Sequence, residues 1–386
     1  MTAEHLLSAY IDTNVVLIIV AFIWFGSKQL FVRTQLRAAY QMQLNLLYGL
    51  IAMVALSPLM IAGLEIFQRS GLVSTSTGLS LSDFLVSQYL DGNIALAPTE
   101  FERLIVWRSE MTHDIVSLSG LLGYAVLGSL FAGFSVVVIR NARDTLYLMK
   151  MIRNSYVLRR SGRIDIRFTH ETLVPFSTRG LSRHYVVLPT DLLAHKNDVR
   201  IAVSHEIQHI RQHDLAWEIA LELIRPFFFW NPAFAFCKKD IEQLRELACD
   251  QQVLRKNTHP VIDYCECLLR VCRTSLTGDR TNQIITPSVP FVQIDRRMNA
   301  SHSGSFLKQR IQSLLDGPTA AGGRRIGAAL AGLSVAVMLV AMLALKPSND
   351  WSHDRLMLST IVNLERLNTR TIAPQNLWKT RKHRSR

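Results

Sequence analysis

The sequence predicts a mainly α-helical membrane protein with four transmembrane helices and one polar α+β domain between the third and the fourth. Uncharged stretches of about 20 residues recur along the chain, and each is long enough to cross a bilayer as a helix. A long polar insert, residues 141–325, separates the last two stretches and mixes strand-like with helix-like patterns. Apolar residues make up 49% of the 386 positions, which excludes a wholly disordered chain.

Four segments are predicted to span the membrane. Three of them contain no charged residue: Leu44–Leu64, Leu118–Ile139 and Ile326–Leu345. The first, residues 8–32, has Asp12 and Lys28 near its ends, where their charges can reach the interface. It lacks the basic start and the small-residue cleavage site of a signal peptide, so we expect a retained anchor. A buried helix of a soluble protein is the alternative for each stretch, but three uncharged stretches in one chain favour the membrane.

The distribution of basic residues predicts the orientation in the membrane. The chain has 43 Lys and Arg against 30 Asp and Glu, a formal charge of +13. Lys28, Arg33 and Arg37 lie in the loop between the first two spans, and further Arg and Lys residues follow the third span, whereas the loop 65–117 is mainly acidic. Because cytoplasmic loops hold the positive excess, the domain 141–325 is expected inside and the loop 65–117 outside.

The predicted domain organisation follows from these spans. Residues 1–140 form a membrane region with three helices, residues 141–325 an inner domain, residues 326–345 the fourth helix and residues 346–386 a basic tail. The same topology places the tail outside. It has no base-reading pattern, so we expect contact with lipid headgroups or the envelope and no direct binding of nucleic acid. The sequence defines no oligomeric state.

Inside the polar insert, local patterns predict two strands, three helices and a connector. The strands are Ile164–Phe168 and Tyr185–Leu188, and the helices are 198–212, 217–229 and Pro232–Arg255. The break between the last two helices is expected at Trp230-Asn-Pro232. Thr274–Gly304, rich in Thr, Ser, Pro and Gly, is expected to be a flexible connector leading back to the membrane.

A His-Glu-x-x-His motif lies within the first predicted helix of the insert. His205 and His209 are four residues apart and therefore project from one face, where two imidazoles can bind one Zn²⁺. Glu206 between them can act as a general base toward a water molecule on the metal. The alternative is a surface helix that happens to contain two histidines. His213 lies about 12 Å further along the helix from His205 and is not expected to bind the same ion.

A third metal ligand is expected on the helix that starts near Pro232. Glu246 can complete a His₂Glu set, and Asp250, one turn later, can accept the outer N–H of a zinc-bound imidazole. Glu242, one turn earlier, is the competing candidate, and a solvated amphipathic helix is the alternative. Cys249 is expected to point away from the Glu246/Asp250 face as a small buried residue. Cys265, Cys267 and Cys272 are expected to be ordinary reduced cysteines.

Together these motifs resemble the M56 membrane metallopeptidases of the BlaR1 and MecR1 type. The resemblance rests, in chain order, on Leu188-Pro189, His205–Asp214, Asn231-Pro232 and Glu246–Asp250. It implies a gluzincin-like zinc peptidase domain on the cytoplasmic side of a bacterial inner membrane. By motif position it implies these roles: zinc ligands His205, His209 and Glu246, catalytic base Glu206, and Asp250 in support of a ligand.

The resemblance also implies a function in signal transduction. We expect a membrane-embedded zinc endopeptidase that cleaves a cytosolic protein, with a transcriptional repressor or the chain itself as the candidate substrate. An edge strand near His184–Leu188 is expected to hold an extended substrate, and Thr274–Gly304 is the candidate self-cleavage region. Receptors of this type that detect β-lactams have a penicillin-binding domain after the fourth span. Lys346–Arg386 is too short for it, and we interpret the Ser305-x-x-Lys308 pattern as coincidence.

Two alternative functions remain open from the sequence. M48 quality-control proteases share the His-Glu-x-x-His motif and a later Glu, but that family tends to place membrane spans between them. Here the intervening stretch Ala216–Phe236 contains Glu218, Glu222 and Arg225. A non-hydrolytic membrane receptor with a structural metal site is the second alternative. Glu206 argues against it, since a structural site needs no base.

Overall fold

The part of the chain before the polar insert is helical wherever the structure describes it, apart from short turns. The computed structural model describes residues 3–33, 35–69, 89, 96–117, 120–256, 259–277, 289–290, 300–316, 332 and 360. The helices of the first half are α1 (Ala3–Val32), a 3-10 turn (Gln35–Ala38), α2 (Tyr40–Arg69), α3 (Pro98–Ser117) and α4 (Leu121–Asn154).

Among the described residues, three helical segments are long and apolar enough to cross a membrane: Ala9–Val32, Tyr40–Leu59 and Gly123–Asn154. They overlap the first three predicted spans, which confirms those predictions as helices of spanning length, although the second begins earlier and the third continues 15 residues beyond Ile139. The predicted fourth span 326–345 and the tail 346–386 lie outside the described residues, apart from the single positions Gly332 and Thr360.

The chain divides into two compact units. One comprises Met1–Val16, Met53–Leu130 and Val335–Arg386, and the other comprises Leu17–Ala52 and Phe131–Ser334. The second unit contains the whole β-sheet and every candidate site residue. It therefore includes parts of α1, α2 and α4 together with the polar insert.

The second unit contains a five-stranded mixed sheet. Its strands are β1 (Tyr156–Ser161), β2 (Ile164–Thr169), β3 (Phe176–Arg179), β4 (His184–Pro189) and β5 (Val289–Pro290), in the order β1-β2-β4-β3-β5. β2 and β4 are parallel and the other pairs are antiparallel. The two predicted strands are confirmed as β2 and β4. The prediction that His184–Leu188 is an edge strand is wrong, because β4 pairs with β2 on one side and with β3 on the other.

Within the described residues, five α-helices follow the first four strands. They are α5 (Lys196–Arg211), α6 (Asp214–Ile224), α7 (Pro232–Arg255), α8 (Val261–Thr277) and α9 (Ala300–Leu315). α7 begins at Pro232 because the Asn231 side chain accepts a hydrogen bond from the Ala233 N–H at 3.0 Å and proline fits the first helical turn. The predicted connector is wrong at both ends, since α8 continues to Thr277 and α9 begins at Ala300.

Helices pack on both faces of the sheet, although β1 is exposed along its whole length. One face packs on α5, α7 and α8 in a core that includes Phe168, Leu188, Ile201 and Val253. The other face meets the end of α4, where Met151 and Leu148 pack with Phe176 and Val187. α4 has 34 residues and is about 51 Å long at 1.5 Å per residue, more than a bilayer core of about 30 Å requires. Its last turns can therefore leave the membrane and support the sheet.

Candidate metal centre

The His-Glu-x-x-His motif lies in the middle of α5, on the face turned into the protein. His205, Glu206 and His209 are all completely buried. α5 packs against α7, which brings Glu246, also completely buried, opposite the two histidines. The site thus forms where two helices from distant parts of the insert meet.

The ring nitrogens of the two histidines converge on one point. His205 Nε2 and His209 Nε2 lie 3.0 Å apart. Glu246 Oε2 is 3.4 Å from His205 Nε2, and Glu246 Oε1 is 3.5 Å from His209 Nε2. Three groups that bind zinc well therefore face one another, each histidine through Nε2 and Glu246 through both of its oxygens.

The outer nitrogens of both histidines have their own partners. Tyr264 of α8 lies 2.7 Å from His205 Nδ1, and its hydroxyl donates to Asp250 Oδ1 at 2.7 Å. Asp250 Oδ1 is itself 3.3 Å from His205 Nδ1. Asp214 Oδ2 lies 2.7 Å from His209 Nδ1. These contacts fix the orientation of both rings and leave the Nε2 atoms for a metal, as partners of metal-binding histidines commonly do.

His213 explains how Asp214 reaches the site. Its φ of 62° and ψ of 21° place it in the left-handed region, which ends α5 and turns the chain directly into α6. Asp214, the first residue of α6, is thereby brought back beside His209. His213 acts through the backbone at this turn.

Cys249 lies beside the histidines. It is fully buried as predicted, but the prediction that it points away from the site is wrong. Its Sγ lies 3.6 Å from His205 Nδ1, and His205, His209 and Cys249 have potential ligand atoms within 4.8 Å of one another. The nitrogen that Cys249 contacts is the one that also lies 2.7 Å from the Tyr264 hydroxyl.

The Glu206 carboxylate is the least satisfied group in the site. Both of its oxygens are buried, and neither has a hydrogen-bond partner. Burial raises the pKa of Glu206 above its ordinary value, although the neighbouring imidazoles of His205 and His209 oppose the rise. Buried polar atoms without partners are uncommon and mark places where a ligand, ion or water is expected.

Arg310 of α9 contacts two carboxylates of the site, those of Asp250 and Glu246. Its guanidinium donates to Asp250 through Nε and an Nη atom, both at 2.7 Å, and its other Nη lies 3.2 Å from Glu246 Oε2. Burial would raise the pKa values of Asp250 and Glu246, but the charge of Arg310 and the contacts with His205 together outweigh it and hold both below their ordinary values.

The arrangement of donors fits a zinc ion. Bonds of about 2.0–2.2 Å in a tetrahedron place two nitrogen or oxygen ligands of one ion about 3.3–3.6 Å apart. The observed separations among His205 Nε2, His209 Nε2 and Glu246 are 3.0, 3.4 and 3.5 Å. The residues present therefore suit the ion that the motif predicts.

Comparison with known proteins identifies the family. A family model described as BlaR1 peptidase M56 matches residues 5–299. The chain belongs to this peptidase family. It is 33% identical over 94 residues to the methicillin resistance mecR1 protein of Staphylococcus aureus, which covers 24% of this chain and 16% of that protein. It is 23% identical over 223 residues to the regulatory protein BlaR1 of Bacillus licheniformis, which covers 53% of this chain and 35% of that protein.

These matches span well under two thirds of the length of either relative. Membership of the M56 family, together with three helices of spanning length, identifies the chain as a membrane protein of a peptidase family. The resemblance inferred from the motifs is thereby confirmed. The roles of individual residues remain predictions.

Of the candidate residues, the structure brings together His205, Glu206, His209, Glu246 and Asp250, but not Glu242. Glu242 is 28% exposed at its side chain and lies 3.7 Å from Lys238.

The sequence patterns gave no role to Asp214, Tyr264 or Arg310. Asp214 follows the motif closely and could have been found from the helix break, whereas Tyr264 and Arg310 stand in later helices with no local signal.

Proposed function

We propose that the protein is a zinc-dependent endopeptidase that cleaves a cytosolic protein at the inner face of a bacterial cytoplasmic membrane. The observation that supports it most is the convergence of two buried imidazole nitrogens at 3.0 Å beside the unpartnered carboxylate of Glu206. A site that only stabilised the fold would not require a buried base of this kind. The basic flanks of the first three spans support the inner orientation.

His205, His209 and Glu246 are the proposed metal ligands, with Asp250, Tyr264 and Asp214 orienting the imidazoles. Glu246 is preferred to Cys249 because its oxygens face both Nε2 atoms, whereas the Cys249 thiol lies on the Nδ1 side of His205. When bound, zinc supplies Lewis acidity that polarises a peptide carbonyl and makes water a stronger acid.

Glu206 is the proposed general base and acid. It takes a proton from the attacking water and delivers it to the leaving amine. Its raised pKa suits both steps, because a group that accepts and then donates a proton works best when its pKa lies near the ambient pH. Its complete burial excludes bulk water from competing for that proton.

The substrate is proposed to lie in extended form along β3. β3 pairs with β4 on one side, and on its other side the described residues offer only the two-residue strand β5. β3 also packs against α5, the motif helix. Addition of a strand at this edge would place a peptide beside the metal ligands.

The chain itself is a second proposed substrate. Val289 and Pro290 pair with Ser177 and Phe176 of β3, so a segment of the predicted connector already lies along this edge. The description of one relative as a regulatory protein supports a role in regulated proteolysis, with a transcriptional repressor as the proposed cytosolic substrate.

Metal analysis and proteolysis of purified variants test this function. We expect one Zn²⁺ per wild-type chain, loss of stoichiometric zinc in His205→Ala, and weakened zinc in Glu246→Ala. Cys249→Ala and Glu242→Ala should retain the ion.

Glu206→Gln should retain zinc but generate none of the cytosolic or self-derived fragments that the wild type generates in cells. Zinc lost from Cys249→Ala but kept in Glu246→Ala would reverse the ligand assignment, and fragments that persist in Glu206→Gln would contradict the proposed base.

A further inference from the structure

One guanidinium lies against both carboxylates that α7 contributes to the metal centre. Arg310 is 1% exposed and comes from α9, which follows Val289–Pro290 in the chain. Its Nε contacts Asp250 Oδ2 at 2.7 Å, one Nη contacts Asp250 Oδ1 at 2.7 Å, and the other Nη lies 3.2 Å from Glu246 Oε2. The planar fork of arginine suits this arrangement, because it fixes a carboxylate in both distance and plane.

Each carboxylate held by Arg310 also faces His205. Glu246 Oε2 lies 3.4 Å from His205 Nε2, and Asp250 Oδ1 lies 3.3 Å from His205 Nδ1. Arg310 therefore sets the position of groups on both sides of one imidazole. It also adds a positive charge to a buried site that holds the carboxylates of Glu206, Glu246 and Asp250, which would otherwise repel one another at short range.

We infer that Arg310 is a positioning residue of the metal centre, which holds Glu246 as a ligand and, through Asp250, fixes the ring of His205. This inference rests on the proposed function. It adds α9 as a third helix on which the site depends, besides the motif helix α5 and the ligand helix α7. α9 is anchored by Leu314, which lies in the main core. The site is then complete only when the segment after β5 is docked.

The test compares metal binding by Arg310→Gln with that by a matched control. Arg270 of α8 also makes a two-point contact with a buried aspartate, Asp198, at 2.8 and 2.7 Å, but it contacts none of the site residues. We expect Arg310→Gln to bind Zn²⁺ about 10- to 100-fold more weakly in chelator competition, as loss of a residue that orients a ligand typically does. Arg270→Gln should bind Zn²⁺ as the wild type does.

The absorption spectrum of cobalt-substituted protein gives a second measurement that a purely structural role would not change. We expect Arg310→Gln to alter it, Arg310→Lys to restore it in part, and Arg270→Gln to leave it unchanged. If Arg310→Gln fails to fold, Arg310→Lys replaces it, because lysine keeps the charge but loses the fork. If the Arg310 variant that folds has the zinc affinity and the cobalt spectrum of the wild type, this inference is overturned and the proposed function is not. A wild-type protein that binds neither metal would overturn the proposed function and this inference with it.

Discussion

Two clusters of buried charge share helix α7 and differ in how fully their charges are paired. The paired cluster consists of Glu218, Glu222, Lys238, Glu242 and Arg245, and the site cluster consists of His205, Glu206, His209 and Glu246. In the paired cluster, Arg245 donates to Glu218 at 2.7 Å, and Lys238 contacts Glu218, Glu222 and Glu242. In the site cluster, the oxygens of Glu206 and Glu246 accept no hydrogen bond, although Glu246 has an ion pair with Arg310 at 3.2 Å.

The difference separates groups that stabilise the fold from groups that are available for chemistry. A buried ion without hydrogen bonds costs free energy, whereas a compensated one can be neutral or favourable. Arg245 and Glu246 are adjacent in sequence, yet each belongs to a different cluster because successive helical residues point in different directions. Burial alone does not distinguish the site cluster from the paired cluster, whereas the number of hydrogen bonds that the carboxylates accept does.

Asp240 of α7 belongs with the paired cluster in this respect. Asp240 accepts a hydrogen bond from Trp24 Nε1 of α1 at 2.8 Å, and Lys28 Nζ lies 3.0 Å from both of its oxygens. Tyr48 of α2 stacks on Trp217 of α6 with ring centroids 4.3 Å apart. The helix that bears Glu246 is thus joined to α1 by paired charges, and a change in the position of α1 would act directly on α7.

The largest effect is expected from breaking the paired cluster. Arg245→Met leaves Glu218 buried without its shortest contact and should lower the free energy of unfolding by about 3–5 kcal/mol. Chemical denaturation of the detergent-solubilised protein measures the loss. The double variant Arg245→Met/Glu218→Gln should recover part of it, because the uncompensated charge is removed. An unchanged unfolding midpoint in Arg245→Met would show that the cluster does not stabilise the fold.

Acid stability gives the next largest effect. Burial would raise the pKa of Glu218, but Lys238 and Arg245 outweigh it and lower the pKa to about 2. Because the pKa is lower in the folded state, this contribution is complete above the ordinary value of about 4.5 and is lost as the pH falls toward 2. The contribution of the ionised Glu218 carboxylate to the free energy of unfolding is on the order of 3 kcal/mol. Unfolding measured across this window should show a shallower acid dependence in Glu218→Gln, and equal slopes would contradict the pairing.

The smallest effect, with the opposite sign, is expected from the site cluster. Glu206→Gln removes a buried charge that has no hydrogen bond and should raise the stability of metal-free protein by about 1 kcal/mol. Thermal unfolding after chelation measures it. The same substitution at Glu218 should destabilise, which makes it the matched control. A loss of stability in Glu206→Gln would mean that the Glu206 carboxylate has a stabilising partner, and the contrast between the clusters would fail.

Local patterns in the sequence were sufficient for several features. The apolar lengths predicted three helices, the four-residue spacing of His205 and His209 predicted a shared helix face, and Asn231-Pro232 predicted the start of α7. Each depends on neighbouring residues only. β3 was missed because its four residues, Phe176–Arg179, are too few to show an alternating pattern.

The sequence by itself determined three long apolar helices, the motif helix and the two strands β2 and β4, because periodicity and helix capping act within a few residues of the chain. Only the tertiary structure decided that β4 is interior, that Cys249 touches His205, and that Asp214, Tyr264 and Arg310 surround the ligands. Arg310 is separated from Asp250 by 60 positions. A contact over that distance depends on how the helices pack, which no local pattern encodes.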